Sequence, residues 1–85
     1  LSSHNVLDYI ELSEEYGILE VPAPKSWVDK TVKELNVRAK LGVNIIAVRS
    51  GSTTNVAPGA DYRIQAGDVM VVLGDNKALE AVQKL

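Results

Sequence analysis

Residues 43–68 read VNIIAVRSGSTTNVAPGADYRIQAGD, and the run at their start decides the fold. Its β-branched content and its turn-like exit, SGSTTN, predict a strand over residues 43–50. Val56 opens a brief return strand that Pro58-Gly59 ends. Gly67-Asp68 then makes a tight turn into residues 69–74, an apolar run of the kind covered on both faces. A regular strand points alternate residues the same way, so Arg49 is expected to share a face with Ile45 and Ala47. That lone guanidinium has two readings. It is a strand-end arginine whose methylenes cover apolar surface while its head reaches water. Or it is a fork that grips a phosphate while aliphatic neighbours hold a flat base. Asn55 bears on the choice, since its amide either pairs with a heterocycle edge or closes a turn.

Outward from this stretch the chain falls into short elements. Residues 7–13, LDYIELS, alternate, with Ile10 and Leu12 on one face and Tyr9 and Glu11 on the other, as in a half-buried strand. Glu14-Glu15-Tyr16-Gly17 reads as a turn and residues 18–21 as a second strand, a hairpin closed by Pro22 and Pro24. In SWVDKTVKELNV, Val28, Val32 and Leu35 fall on one helical stripe. Ser26 or Asp29 caps that helix, Asn36 and Gly42 stop it, and its body lies near residues 30–35. YRI, residues 62–64, is too short to assign alone. Asp75 caps a last helix in which Ala78, Leu79 and Val82 share a face. The order β-β-α-β-β-β-α defines an α+β domain with a small mixed or antiparallel sheet and two helices.

Composition narrows the function. Eighty-five residues make one domain, and a chain this short buries only about 60–65% of its extended surface. A partner subunit is a natural supplement to such a core. The net charge is −2, with nine basic against eleven acidic residues and no basic stripe. That excludes a nucleic-acid polymer as partner but not a small phosphate ligand. Cysteine is absent, which removes disulfides and thiolate metal sites and fits the cytosol. No apolar run nears the ~20 residues that span a bilayer, and no signal peptide is visible, so direct membrane insertion is not expected. A start at Leu1 rather than Met suggests a fragment of a longer protein.

Catalysis has little to work with. His4 stands alone near the terminus and reads as a solvated side chain. Glu11, Glu14 and Glu15 form an acidic patch, but a hard-cation site needs several oxygens converging at defined spacing, so a solvated turn is expected and no metal. SGSTTN lacks the spacing of a nucleoside-triphosphate loop, and no dinucleotide fingerprint is present. The chain does not read as an enzyme.

Three pieces in order carry a resemblance: VDKTVKELNVRAKLGVNIIAVRSG, then PGADYRIQAGDVMVVLG, then DNKALEAVQKL. Together they resemble the C-terminal domain of regulators of potassium conductance, the regulatory half of the gating subunits of bacterial Trk/Ktr potassium-uptake systems. The likeness runs from about Val6 to Leu85 and is strongest to the Ktr branch. Many members carry glycine where this chain has Asp29. The family's Rossmann-like N-terminal domain is absent from this sequence.

The resemblance implies a homodimer and, for the Ktr branch, cyclic di-AMP bound at the dimer interface as a regulatory ligand that inhibits potassium transport. It also implies, for the full-length protein, a cytoplasmic gating ring on a membrane potassium-channel subunit. Cyclic di-AMP has two adenines and two phosphates about a twofold axis, so an isologous dimer offers each half the same groups. The positions matching the family's pocket are Ile45, Ile46, Ala47, Arg49, Asn55, Val56, Ala57 and Pro58. Arg49 is assigned to phosphate, Asn55 and the backbone around Ala57 to the adenine edge, and the aliphatic side chains to the base faces. Competing readings are a ligand-free dimerisation module, the same fold serving a cation/proton antiporter or an amino-acid exchanger, and, least supported, an enzyme acting on a cyclic nucleotide.

Overall fold

The structure, a computed structural model, describes residues 6–85; the expectation for His4 lies outside the described residues. Five strands form one sheet: β1 (Asp8–Glu11), β2 (Tyr16–Pro22), β3 (Asn44–Ser50), β4 (Thr53–Val56) and β5 (Val69–Asp75). Three helices, α1 (Val32–Leu35), α2 (Val37–Lys40) and α3 (Asn76–Gln83), complete the α+β order. The strand order is β1-β2-β5-β3-β4, and every neighbouring pair is antiparallel. β5 arrives last in the chain yet sits in the centre, pairing β2 on one side and β3 on the other. A central strand must give up its N–H and C=O groups to both neighbours and cannot hold proline; VMVVLG meets that demand.

One face of the sheet carries the core. Leu19 lies opposite Val72, Val21 opposite Met70, and Met70 opposite Val48. These five pack with Trp27, Leu35, Val37, Ile64, Leu79 and Val82, all buried. Removing such an aliphatic side chain from water contributes about 1.5–3 kcal/mol. α3 starts where the sequence predicts: the Asp75 carboxylate accepts the Ala78 N–H at 2.7 Å, and Ala78, Leu79 and Val82 face inward. Gly74 is closely packed on this side: a Cβ there would lie 2.8 Å from Val43 Cγ1, just ahead of β3, and 3.5 Å from the Cβ of Ala78 on α3.

The opposite face is not covered as the apolar run predicts. Val69, Val71 and Leu73 are only half-buried. All the strongly buried side chains belong to the helix-facing side, so β5 lies in a one-sided sheet. β1 differs too. Its four residues are all exposed, with Ile10 at 48% and, just beyond, Leu12 at 51%. Alternation correctly marks a strand there, but Ile10 lies opposite Ile18, which in turn lies opposite Leu73, so it points to the open face and away from the helices.

The helical segment also departs from expectation. Thr31 caps α1 through a capping box: its hydroxyl accepts the Glu34 N–H at 3.1 Å and the Glu34 carboxylate accepts the Thr31 N–H at 2.8 Å. The backbone bond from Thr31 is the main reason the Glu34 carboxyl lies below its ordinary pKa. Ser26 instead sits in a 3₁₀ turn, Lys25–Trp27, with Val28 at its end, so Val28 is not on the helical stripe. Asp29 does not cap either; it holds φ at 72°, in the left-handed region. Asn36, at φ 47° and ψ 45°, stops α1 as expected, but the chain resumes at once as α2. YRI contributes an isolated bridge, Arg63 to Thr31.

Candidate ligand site on the sheet

β3 is not a regular strand. Asn44 and Ile45 face Leu73 and Val72 of β5, but Ala47, Val48 and Arg49 face Val71, Met70 and Val69. One extra residue, Ile46, is accommodated by a bulge, which resets the alternation. Ile45 therefore packs against the core, while Ala47 and Arg49 register with Val71 and Val69 on the open face. The expected common face for Ile45, Ala47 and Arg49 is thus corrected: the bulge separates the first from the other two.

On the open face Arg49 is engaged. Its Nη1 donates to Glu20 Oε1 at 2.7 Å, with the arginine side chain 39% and the glutamate side chain 20% exposed. Glu20 lies on β2, opposite Val71 on one side and Asp8 on the other, so the pair reaches across β5. No sequence signal announces Glu20, because the contact exists only once β5 is placed between β2 and β3.

The β3–β4 hairpin brings up the remaining expected residues. Val56 lies beside Ala47 on the open face and is 71% exposed. Asn55 lies beside buried Val48, on the helix side. There it joins Ser50, Tyr62 and Gln65 around a shallow recess. Ala57 takes φ 54° and donates its N–H to the Ile46 carbonyl at 2.9 Å, tying the segment before Pro58 to the bulge. Ile46, Ala47, Val56 and Ala57 thus gather at one end of the hairpin, with Arg49 farther along the open face. Ile45 and Asn55 point to the other side. Because β4 is an edge strand, both sides are reachable around its rim.

Ile45 also borders a groove of about 340 Å³ between the helices and β3, which takes in Lys33, Arg38, Asn36 and Asn44. Residue spacing did not expose these cations, because the left-handed Asn36 turn between α1 and α2 places them together. A half-apolar sheet face with one forked cation suits a flat ring and a phosphate. Among the described residues, no group of three His, Asp or Glu side chains is placed to hold a metal ion, and no helix is long and apolar enough to cross a membrane.

Comparison with known proteins adds independent findings. The model of the TrkA-C domain family matches residues 17–85. The Ktr system potassium uptake protein C of Bacillus subtilis (strain 168) is 38% identical over 82 residues, covering 96% of this chain and 37% of that protein. The Ktr system potassium uptake protein A of the same organism is 38% identical over 80 residues, covering 94% of this chain and 36% of that protein. The chain therefore spans little more than a third of these curated relatives. Among solved structures, the RCK C domain of potassium transport protein KtrA in complex with cyclic diadenosine monophosphate superposes with a TM-score of 0.78 at 27% identity, covering 86% of each chain. The RCK_C domain dimer of S. agalactiae BusR in complex with c-di-AMP gives a TM-score of 0.66 at 28% identity, covering 76% of this chain and 87% of that one.

Proposed function

The chain belongs to the TrkA-C family, a family of regulatory domains of potassium-transport proteins and not of enzymes, and on that premise we propose that it binds cyclic di-AMP between two copies of itself and so restrains potassium uptake. One observation carries the reading: the KtrA domain with which this chain shares its fold along most of its length holds that ligand. The open sheet face supports it. Arg49 supplies a cation to a phosphate, and Val56, Ala47 and Ile46 supply apolar contact to a base. Asn55 and the Ala57 backbone read the adenine edge from the rim of β4, with Ile45 and Pro58 closing the lip. A ligand wrapped around that rim touches both sides of the sheet, which is how residues on opposite faces serve one site. The two copies bring two arginines to two phosphates.

Regulation follows by population shift. The ligand favours one relative orientation of the two domains, and a gating ring in the full-length cytoplasmic protein passes that bias to a membrane potassium-channel subunit. Calorimetric titration with cyclic di-AMP, linear di-AMP and ATP tests the ligand. Saturable binding of the cyclic dinucleotide alone, at one ligand per two chains, is expected; no binding, or equal binding of all three, overturns the reading. The Glu20–Arg49 pair favours a second reading, a ligand-free dimerisation module, because it satisfies the guanidinium within the chain. A stable dimer indifferent to every nucleotide is its signature.

A further inference from the structure

The ion pair between Arg49 and Glu20 is the one salt bridge among the described residues, and it lies within the face proposed to receive the ligand. Its surroundings on that face are Ile18, Val69, Val71, Leu73 and Ala47, apolar neighbours that weaken screening by water. Beyond Glu20 the next strand places Asp8 directly opposite it, so two carboxylates stand in line with one guanidinium. A phosphate arriving at Arg49 must draw the guanidinium away from Glu20, or share it while facing that carboxylate. Either event opposes anion binding.

We propose that Glu20 sets the affinity and selectivity of the Arg49 site, acting as a resident counter-ion that a ligand phosphate has to displace. It positions the guanidinium when the site is empty and discourages simple anions. A ligand that also offers flat apolar surface gains enough contact on Ala47 and Val56 to win the arginine; inorganic phosphate does not. This inference rests on the cyclic dinucleotide reading above.

Calorimetric titrations of the wild type, Glu20→Gln, Glu20→Asp and Asp8→Asn with cyclic di-AMP, and separately with inorganic phosphate, test it. Glu20→Gln is expected to bind the dinucleotide about five-fold tighter, the scale of a partly exposed ion pair. Glu20→Asp, which keeps the charge, is expected to stay within about two-fold of the wild type. The gain in Glu20→Gln shrinks as salt is raised, and weak phosphate binding emerges only in that variant. Asp8→Asn gives a smaller gain in the same direction and carries the test if Glu20→Gln does not fold. A purely structural role for Glu20 would instead weaken binding. Wild-type binding with no gain in Glu20→Gln or Asp8→Asn overturns the role of Glu20 alone. No binding by any of the proteins overturns the cyclic dinucleotide reading beneath it.

Discussion

Tyr62 donates its phenolic O–H to Oδ2 of Asp68 at 2.6 Å, and the same oxygen accepts the Gln65 N–H at 3.0 Å. Asp68 is 1% exposed and stands just ahead of β5, so this carboxylate locks the turn that delivers the central strand. Burial presses its pKa upward, but the Tyr62 hydroxyl, the Gln65 N–H and the Ser50 hydroxyl hold it, on balance, below the ordinary value. Burial, followed by the Asp68 carboxylate, raises the Tyr62 phenol above its ordinary value.

A depressed carboxyl stabilises the fold above its unfolded pKa, and that stability disappears as pH falls through the lower folded value. Asp68→Asn is therefore expected to lose about 1–3 kcal/mol near neutrality. The gap from wild type should narrow below about pH 4. The raised Tyr62 phenol adds stability that fades above about pH 10. Urea unfolding across pH reads both limbs; a gap that stays constant from neutral to acid pH would sink the Asp68 argument.

Asp29 carries φ 72° while its N–H is held by the Ile64 carbonyl at 2.7 Å. An aspartate tolerates the left-handed region less well than glycine. Asp29→Gly is expected to gain about 0.5–1 kcal/mol by thermal unfolding, whereas Asp29→Val should lose stability.

Gly17 and Gly74 face each other across β2 and β5. A Cβ at Gly74 meets fully buried Val43 at 2.8 Å, with Ala78 and the Gly42 carbonyl behind it at 3.5 Å. One at Gly17 meets the ring of Tyr9 at 2.6 Å, but Tyr9 is 44% exposed and its hydroxyl is tethered only by a long 3.4 Å bond to Asn76 Oδ1, so the ring can swing aside. Gly74→Ala should cost about 1–3 kcal/mol and Gly17→Ala distinctly less. Equal losses in chemical denaturation would contradict this ranking.

Arg49→Ala separates stability from binding. Its ion pair is partly exposed, so the fold should lose less than about 1 kcal/mol. Cyclic di-AMP affinity should fall at least about tenfold, the scale of a lost hydrogen bond to a charged group. Calorimetry beside a melting curve checks both; near wild-type affinity removes Arg49 from the site.

Sequence periodicity identified β3, β5, α3 and the first hairpin because each has a run long enough to show its period. It failed at Asp29 and Ser26 for a different reason. Thr31-Val32-Lys33-Glu34 carries the capping-box spacing, so the true cap was readable, but the longer apolar stripe from Val28 drew the helix start upstream. At the candidate site the limit was deeper. Ile45, Ile46, Ala47 and Val48 are all apolar, so no polar residue marks where alternation slips. Glu20 is invisible in sequence because its contact with Arg49 depends on strand order. Edge exposure of Ile10 and Leu12 is likewise a property of the sheet, not of the strand.

The bulge at Ile46 gives β3 a parity. Counted from Val43, the residue at position 49 would fall among the core-facing set on an unbroken ladder; the single added unit sends it outward instead. The location of the charge is thus set by the ladder's one irregularity, not by which aliphatic residues precede it. Replacing Ile46 with another aliphatic side chain preserves that irregularity. Deleting it would join Ile45 directly to Ala47 in an unbroken ladder and leave Arg49 opposite Val69, facing outward. Pairing Ile46 in the ladder is what would drive the guanidinium into the aliphatic interior, turning a ligand contact into a folding defect.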